Sequence, residues 1–200
     1  MTHFARKHTL RQELSASRRG RPAAAREADS ARIVATLCTE LADIGTTVAA
    51  YVPVGAEPGG DLPGTLLERG FAVLLPVLLA DGDLDWATCR STTDLAPAGR
   101  GLREPLGPRL GTDAIRTADA VVVPAVAVGL DGSRLGRGGG SYDRALTRVS
   151  ADTPVVALVY DDELVDSLPT EAHDVQVNAV VTPSRGWLDL PAAFGLTGSG

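Results

Sequence analysis

Two stretches constrain the fold more than any other part of the chain: AVVVPAVAV at residues 120–128 and VVALVY at 155–160. A strand with one wet face alternates apolar and polar residues. Runs that are apolar at nearly every position must be covered on both faces, which is the habit of central strands in a parallel sheet flanked by helices. The runs are also far shorter than the roughly 18 residues that a membrane-spanning helix needs.

Further β-like runs fall at 47–53, 72–78, 84–89 and 175–181, and the buried runs add strands at 120–123 and 154–160. Helical spacing lies between them. Phe4, Leu10 and Leu14 mark a short amphipathic helix over 4–16 that presents Lys7 and Arg11 on one face. Pro22 opens a long helix whose stripe of Ala24, Ala28, Ala31, Val34, Ala35, Cys38 and Leu41 runs until Gly45. Shorter helices are expected at 62–69, 141–149 and 162–168. The turn Asp81-Gly82-Asp83 predicts a hairpin between the second and third strands, so the sheet should be mixed. Residues 92–111 read as a polar loop and the tail from Leu190 as a frayed end. The expectation is one α/β domain over 1–200, with its core at about 4–190. It takes the form of a three-layer α/β/α sandwich with a mostly parallel sheet, Rossmann-like.

The charge balance narrows the function classes. Nineteen Lys+Arg against 25 Asp+Glu give a net charge of −6, and aromatic residues are 4% of the chain. That argues against nucleic acid and anionic membranes as partners. Any anion must be held locally. Lys7 is the one lysine among otherwise arginine cations, which asks for a reason. Cys38 and Cys89 fit no zinc or disulfide pattern, and the first twenty residues contain no apolar leader core, so a reducing, cytoplasmic setting is expected.

The chemistry concentrates in Arg134-Leu135-Gly136-Arg137-Gly138-Gly139-Gly140-Ser141-Tyr142-Asp143, set between a buried strand and a helix. Glycine at this density is costly unless backbone must approach something closely. Backbone amides there can form an anion-binding concavity, arginines can neutralise phosphate, and Asp143 can hold a magnesium ion. Neither GxxxxGK[ST] nor GxGxxG can be read in the run, so neither common nucleotide motif applies. Taken alone, Glu171, His173 and Asp174 read equally as loop charge, helix capping or a metal site.

The loop resembles the RLGRG-x-G-Y-YDR signature of the 5-formyltetrahydrofolate cyclo-ligase family. The likeness extends through KHTLR near the start, YVPVGAE at 51–57, Glu104-Pro105 and LPTEAHDVQVNAVVTP near the end. It implies a fold like that of NagB, RpiA and CoA-transferases, and ATP-dependent closure of 5-formyltetrahydrofolate to 5,10-methenyltetrahydrofolate. The alternatives kept open are a paralogue acting on another formylated or amide metabolite, and a non-catalytic ATP or folate binder. By the resemblance, Lys7, Arg11 and residues Arg134 to Tyr142 contact ATP, with Arg134 catalytic. Glu57 holds the pterin ring, Arg137 to Ser141 also line the folate side, and Asp143 and Asp174 bind Mg2+. The substrate is a folate, possibly polyglutamylated, whose carboxylates could meet Arg100, Arg103 or Arg109; a monomer is expected. The chain departs from the family pattern at Val128-Gly129 and at Ser141, with Asp131 expected to stand in for the aspartate missing at Gly129.

Overall fold

A computed structural model describes residues 3–191, apart from the side chains of His3, Phe4 and Arg100. Phe4 of the expected apolar stripe and the tail beyond 191 therefore lie outside the described residues. In chain order the elements are α1 (His3–Gly20), α2 (Ala23–Leu41), β1 (Thr47–Ala49), α3 (Leu62–Glu68), β2 (Ala72–Leu78) and β3 (Leu84–Cys89). There follow β4 (Leu95–Pro97), β5 (Arg103–Pro105), β6 (Ala120–Pro124), β7 (Ala127–Gly129), β8 (Arg134–Leu135) and α4 (Ser141–Leu146). The chain closes with β9 (Val155–Leu158), β10 (Leu164–Val165), β11 (Ala179–Thr182) and β12 (Gly186–Asp189).

Seven strands form one sheet in the order β12-β11-β9-β6-β1-β2-β3. The five inner strands pair in parallel, while β3 and β12 run antiparallel at the edges. The doubly apolar runs account for this. On β6, Ala120 and Val122 pack toward α2 and α3, whereas Val121 and Val123 pack toward α4 and the turn at Thr112–Thr117. β9 alternates in the same way, with Val156 and Leu158 on one side and Val155 and Ala157 on the other. Helix α2 supplies Ile33, Val34, Leu37, Cys38 and Leu41 to the first layer. Asp61 caps α3 by accepting from Gly64 N at 3.2 Å, with Pro63 in the first turn.

Taken in chain order, the parallel strands stand in space as second, first, third, fourth and fifth. The order reverses between β1 and β6, so the chain leaves those neighbours toward opposite faces and a crevice opens beyond their C-terminal ends.

The departures from expectation have local causes. Residues 162–168 do not form a helix. A 3₁₀ turn at Asp161–Glu163 leads into β10, which pairs with β7, because Glu163 turns inward to Tyr160 N and Arg18. The apolar run at 120–128 breaks after Pro124, and its second half crosses to a three-stranded sheet of β10-β7-β8. Against that small sheet pack Leu10 and Leu14 of α1, which continues to Gly20. The expected strand over 175–181 shortens to Ala179–Thr182, and the helix over 141–149 stops at Leu146. The loop at 92–111 contains the β4–β5 hairpin. β12, which no alternation announced, adds the antiparallel edge.

Candidate functional site

The switch-point crevice holds a cavity of about 300 Å3. Tyr51, Val52 and Glu57 reach it from the segment after β1, and Pro124 and Ala125 from the end of β6. Leu78 and Leu84 add apolar wall. A second cavity, of about 790 Å3, is lined by Lys7, Arg11, Arg144, Glu171, His173 and Asp174. Both are bounded by Arg134, Gly136, Gly138, Gly139, Gly140 and Asp143. The glycine loop is thus the common wall of an apolar pocket and a strongly charged one.

The loop can be this thin because Gly138 and Gly140 adopt φ of 96° and 69°, where a side chain is strained. A Cβ at Gly140 would also stand 3.0 Å from Nη1 of Arg144. Arg11 Nε donates to Gly136 O at 2.7 Å, fastening the loop to α1. Arg144 Nη2 donates to Gly139 O at 3.2 Å and to Gly82 O at 2.6 Å, tying the loop to the β2–β3 turn. Leu135, in contrast, buries its side chain with Val126, Ala127 and Leu168, so only its backbone is available to a ligand.

Arg134 is buried and donates to Asp143 Oδ1 at 2.6 Å and to Pro124 O at 3.4 Å, yet its Nε has no partner. The Tyr142 hydroxyl is likewise buried without a partner. Burial, followed by the charge of Glu57, raises the Tyr142 phenol well above its ordinary value, so it remains a donor. Two orphaned donors in one cavity wall cost free energy unless something arrives to accept from them. Glu57 accepts from Val54 N at 2.9 Å and pairs with Arg137 at 2.8 Å. Arg137 lies on the apolar-pocket side of the loop. Ser141 lines the same pocket.

The lone lysine acquires its reason here. Lys7 Nζ, with a side chain only 4% exposed, pairs with Asp174 at 2.5 Å and Glu171 at 2.9 Å, across more than 160 residues of sequence. Burial acts to lower the Lys7 pKa, but its two carboxylate partners together outweigh that and raise it. For Asp174, burial alone would raise the carboxyl; Lys7 and the Glu171 amide more than reverse it, holding Asp174 ionised. Asp143 and Asp174 line the same cavity, each matched to a cation. The carboxylates fit a hard divalent cation by chemistry. Glu171, His173 and Asp174 each bring a ligand atom within 4.8 Å of the others; Asp143 is outside that group.

The sequence reading assigned no role to Arg18, Glu163, Tyr160 or Arg144, although Arg144 closes the glycine-rich signature. Arg18 Nε and Nη2 meet Glu163 at 2.6 and 2.8 Å, and Nη2 also donates to Ala125 O at 2.7 Å. Tyr160 donates its hydroxyl to Ala56 O at 3.2 Å. These bonds brace both lips of the crevice, the segment bearing Glu57 and the end of β6. No local pattern marks such pairs. A buried Arg and Glu 145 residues apart look like surface charge until the chain is folded.

The profile of the 5-formyltetrahydrofolate cyclo-ligase family matches residues 3–183. The chain belongs to that family. A 5-formyltetrahydrofolate cyclo-ligase of Mycolicibacterium smegmatis is 47% identical over 190 residues, covering 92% of this chain and 97% of the relative. The protein of that name from Escherichia coli K12 is 34% identical over 125 residues, 61% of this chain and 69% of its own. The 5,10-methenyltetrahydrofolate synthetase of Aquifex aeolicus superposes with a TM-score of 0.78 at 27% identity, covering 96% and 97% of the two chains. The synthetase from Mycoplasma pneumoniae shares the fold at a TM-score of 0.71 and 20% identity, covering 88% of this chain and 98% of its own.

As a cyclo-ligase family member the chain corrects one expectation. Asp131 does not stand in for an aspartate at 129, because its Oδ1 accepts from Ser133 N at 3.0 Å and from Ser133 Oγ, closing the β7–β8 turn. A Cβ at Gly129 would stand 2.3 Å from both Asp131 Oδ1 and Ser133 Oγ, so those two side chains would have to shift to admit one. Of the arginines suggested for folate carboxylates, Arg103 lines the apolar pocket but spends donors on Thr92 O and Leu95 O. The side chain of Arg100 lies outside the described residues.

Proposed function

We propose that this chain converts 5-formyltetrahydrofolate and ATP to 5,10-methenyltetrahydrofolate, ADP and phosphate. The observation that carries the reading is the shared glycine wall. An apolar pocket with a carboxylate at one end and a charged pocket with Lys7 and Arg11 meet across a few glycines. That arrangement suits a flat heterocycle on one side and a triphosphate on the other.

In this reading Glu57 accepts hydrogen bonds from the pterin ring and Tyr142 donates its unspent hydroxyl proton to the substrate. Lys7, Arg11 and the amides of residues 136–140 orient the phosphates. The formyl oxygen is a poor leaving group, so it first accepts the γ-phosphoryl group; N10 then attacks the imidate carbon and phosphate departs. Arg134, whose Nε is buried without a partner, donates to the phosphoryl oxygens as charge moves across them. Asp143 and Asp174 would hold magnesium, which when bound offsets phosphate charge. The protein acts chiefly by positioning and charge stabilisation. A cytoplasmic location, in keeping with two free buried cysteines, and a monomeric state belong to the same proposal.

The test is to mix purified protein with ATP, magnesium and 5-formyltetrahydrofolate and follow the near-ultraviolet band of the methenyl product. Band growth that needs all three is the expected result. ATP hydrolysis without the band would reject the substrate, and no ATP uptake by calorimetry would reject the reading altogether.

A further inference from the structure

A third cavity, of about 380 Å3, lies behind the glycine loop, between α1 and the segment at residues 54–57. Arg11, Ser15, Arg18 and Arg19 line it from one face of α1, and Arg137 lines it from the loop. It adjoins the apolar pocket at Val54, Glu57 and Arg137, and the charged pocket at Arg11. Two of these guanidinium groups are matched, Arg18 by the buried Glu163 and Arg137 by Glu57. Arg11 spends Nε on a carbonyl, and Arg19 has no carboxylate partner among the described residues. The walls therefore carry excess positive charge in a chain whose net charge is −6.

Surface arginines usually point apart into solvent. Here the helical spacing of residues 11, 15, 18 and 19 gathers them around one concavity, and Arg18 is pinned by Glu163 and Ala125 O, so part of the wall is pre-formed. The guanidinium groups that line this hollow, with Arg18 held in place by Glu163, match the oxygens of a phosphate dianion. Val54, Gly55, Ala56 and Glu57 form the opposite wall, where Gly55 (φ 65°) and Ala56 stand between the larger side chains and the Glu57 carboxylate is taken up by Arg137 at 2.8 Å.

We infer that this cavity is a second anion site, adjoining the nucleotide pocket at Arg11, that takes a phosphate dianion. The phosphate is either free or the end of a small monoester. The site goes beyond the proposed reaction, although a reaction that releases phosphate beside Arg137 would supply the first of these ligands.

The experiment titrates the full chain with inorganic phosphate and, separately, with methyl phosphate, each with and without saturating ADP and magnesium. The expected result is that at least one probe binds, that ADP leaves this binding in place, and that Arg19→Gln weakens it about tenfold. Ser15→Asp, which sets a carboxylate in the same hollow from the previous turn, should weaken it at least as much. The two probes tell a free ion from an ester. Absence of binding by both probes, loss of binding on adding ADP, or affinity unchanged by both substitutions overturns the site. Failure of ADP itself to bind would strike at the proposed function instead, and the Arg19 and Ser15 variants would still decide this one.

Discussion

Replacing Glu163 by Leu should destabilise the protein far more than replacing Glu163 and Arg18 together. The two side chains are 1% and 6% exposed and meet through two bonds of 2.6 and 2.8 Å. Burial raises the Glu163 carboxyl, and Arg18 recovers only part of that; burial likewise opposes the Arg18 charge, but there the pairing wins. For buried ion pairs the cost of desolvation often exceeds what the pairing returns. Removing one partner strands the other charge, at a cost of about 3–5 kcal/mol for either single variant. The Arg18→Met, Glu163→Leu double variant removes both charges, which is worth roughly 1–4 kcal/mol in its favour. It also orphans Ala125 O and Tyr160 N, at about 1–3 kcal/mol each. Midway through these ranges the net is a loss of about 1–2 kcal/mol, within limits of roughly −2 and 5, well below the sum of the singles at about 6–10 kcal/mol. Urea unfolding reads this directly, because at an m-value of about 3 kcal/mol per molar each single variant should lower the midpoint by about 1 M or more. A double variant that loses as much as both singles combined would refute the reasoning, because it would mean that the two side chains act independently.

Arg134→Ala should lower kcat by roughly 100-fold or more while changing ATP affinity little, since its free Nε is assigned to charge that develops in the transition state; an unchanged kcat would remove that role. Arg144→Ala frees the glycine loop from the β2–β3 turn, and steady-state kinetics should show KM rising for both ATP and the folate with only a small change in melting temperature. A third outcome concerns acid. The bonds from Arg148 to Asp83, at 2.5 and 3.1 Å, hold the Asp83 carboxyl below its ordinary value of 3.8 despite partial burial. A carboxyl depressed in the folded state stabilises fully above its unfolded pKa and loses that stabilisation as pH falls through the folded value. Urea midpoints should therefore drop from about pH 4 downward, and Arg148→Met should flatten that part of the profile; an unaltered slope would sink the assignment.

Much of the sheet was legible because doubly apolar runs must be covered on both faces, as β6 and β9 are, and because Asp81-Gly82-Asp83 marks a hairpin turn that the structure contains. The glycine loop was legible for a similar reason, since its composition is wasteful without a close approach. What escaped was set by tertiary partners. Leu164 and Val165 carry a helical rhythm with Asp162 and Leu168, yet they pair with β7 because Glu163 is drawn inward to Arg18. Asp131 resembled a displaced aspartate in the sequence, but a hydroxyl and an amide two residues away claim it first. The bracing of the crevice by Arg18 and Tyr160 crosses more than a hundred residues, a distance at which sequence spacing holds no information.

That leaves the question of why one lysine survives among arginines. A guanidinium is a planar fork suited to a carboxylate or phosphate presented edge-on, and the arginines at 18 and 148 each meet one carboxylate through two nitrogens, with Arg148 Nε also 3.5 Å from Asp113. Lys7 meets two different carboxylates, Asp174 and Glu171, from within a nearly closed wall. A compact ammonium distributes three donors tetrahedrally, so two can be spent on those acids while the third stays unspent where Lys7 lines the charged cavity. The singular residue of the sequence thus stands where the geometry asks for a point charge, and the pairing anchors the N-terminal helix to the segment that bears Asp174.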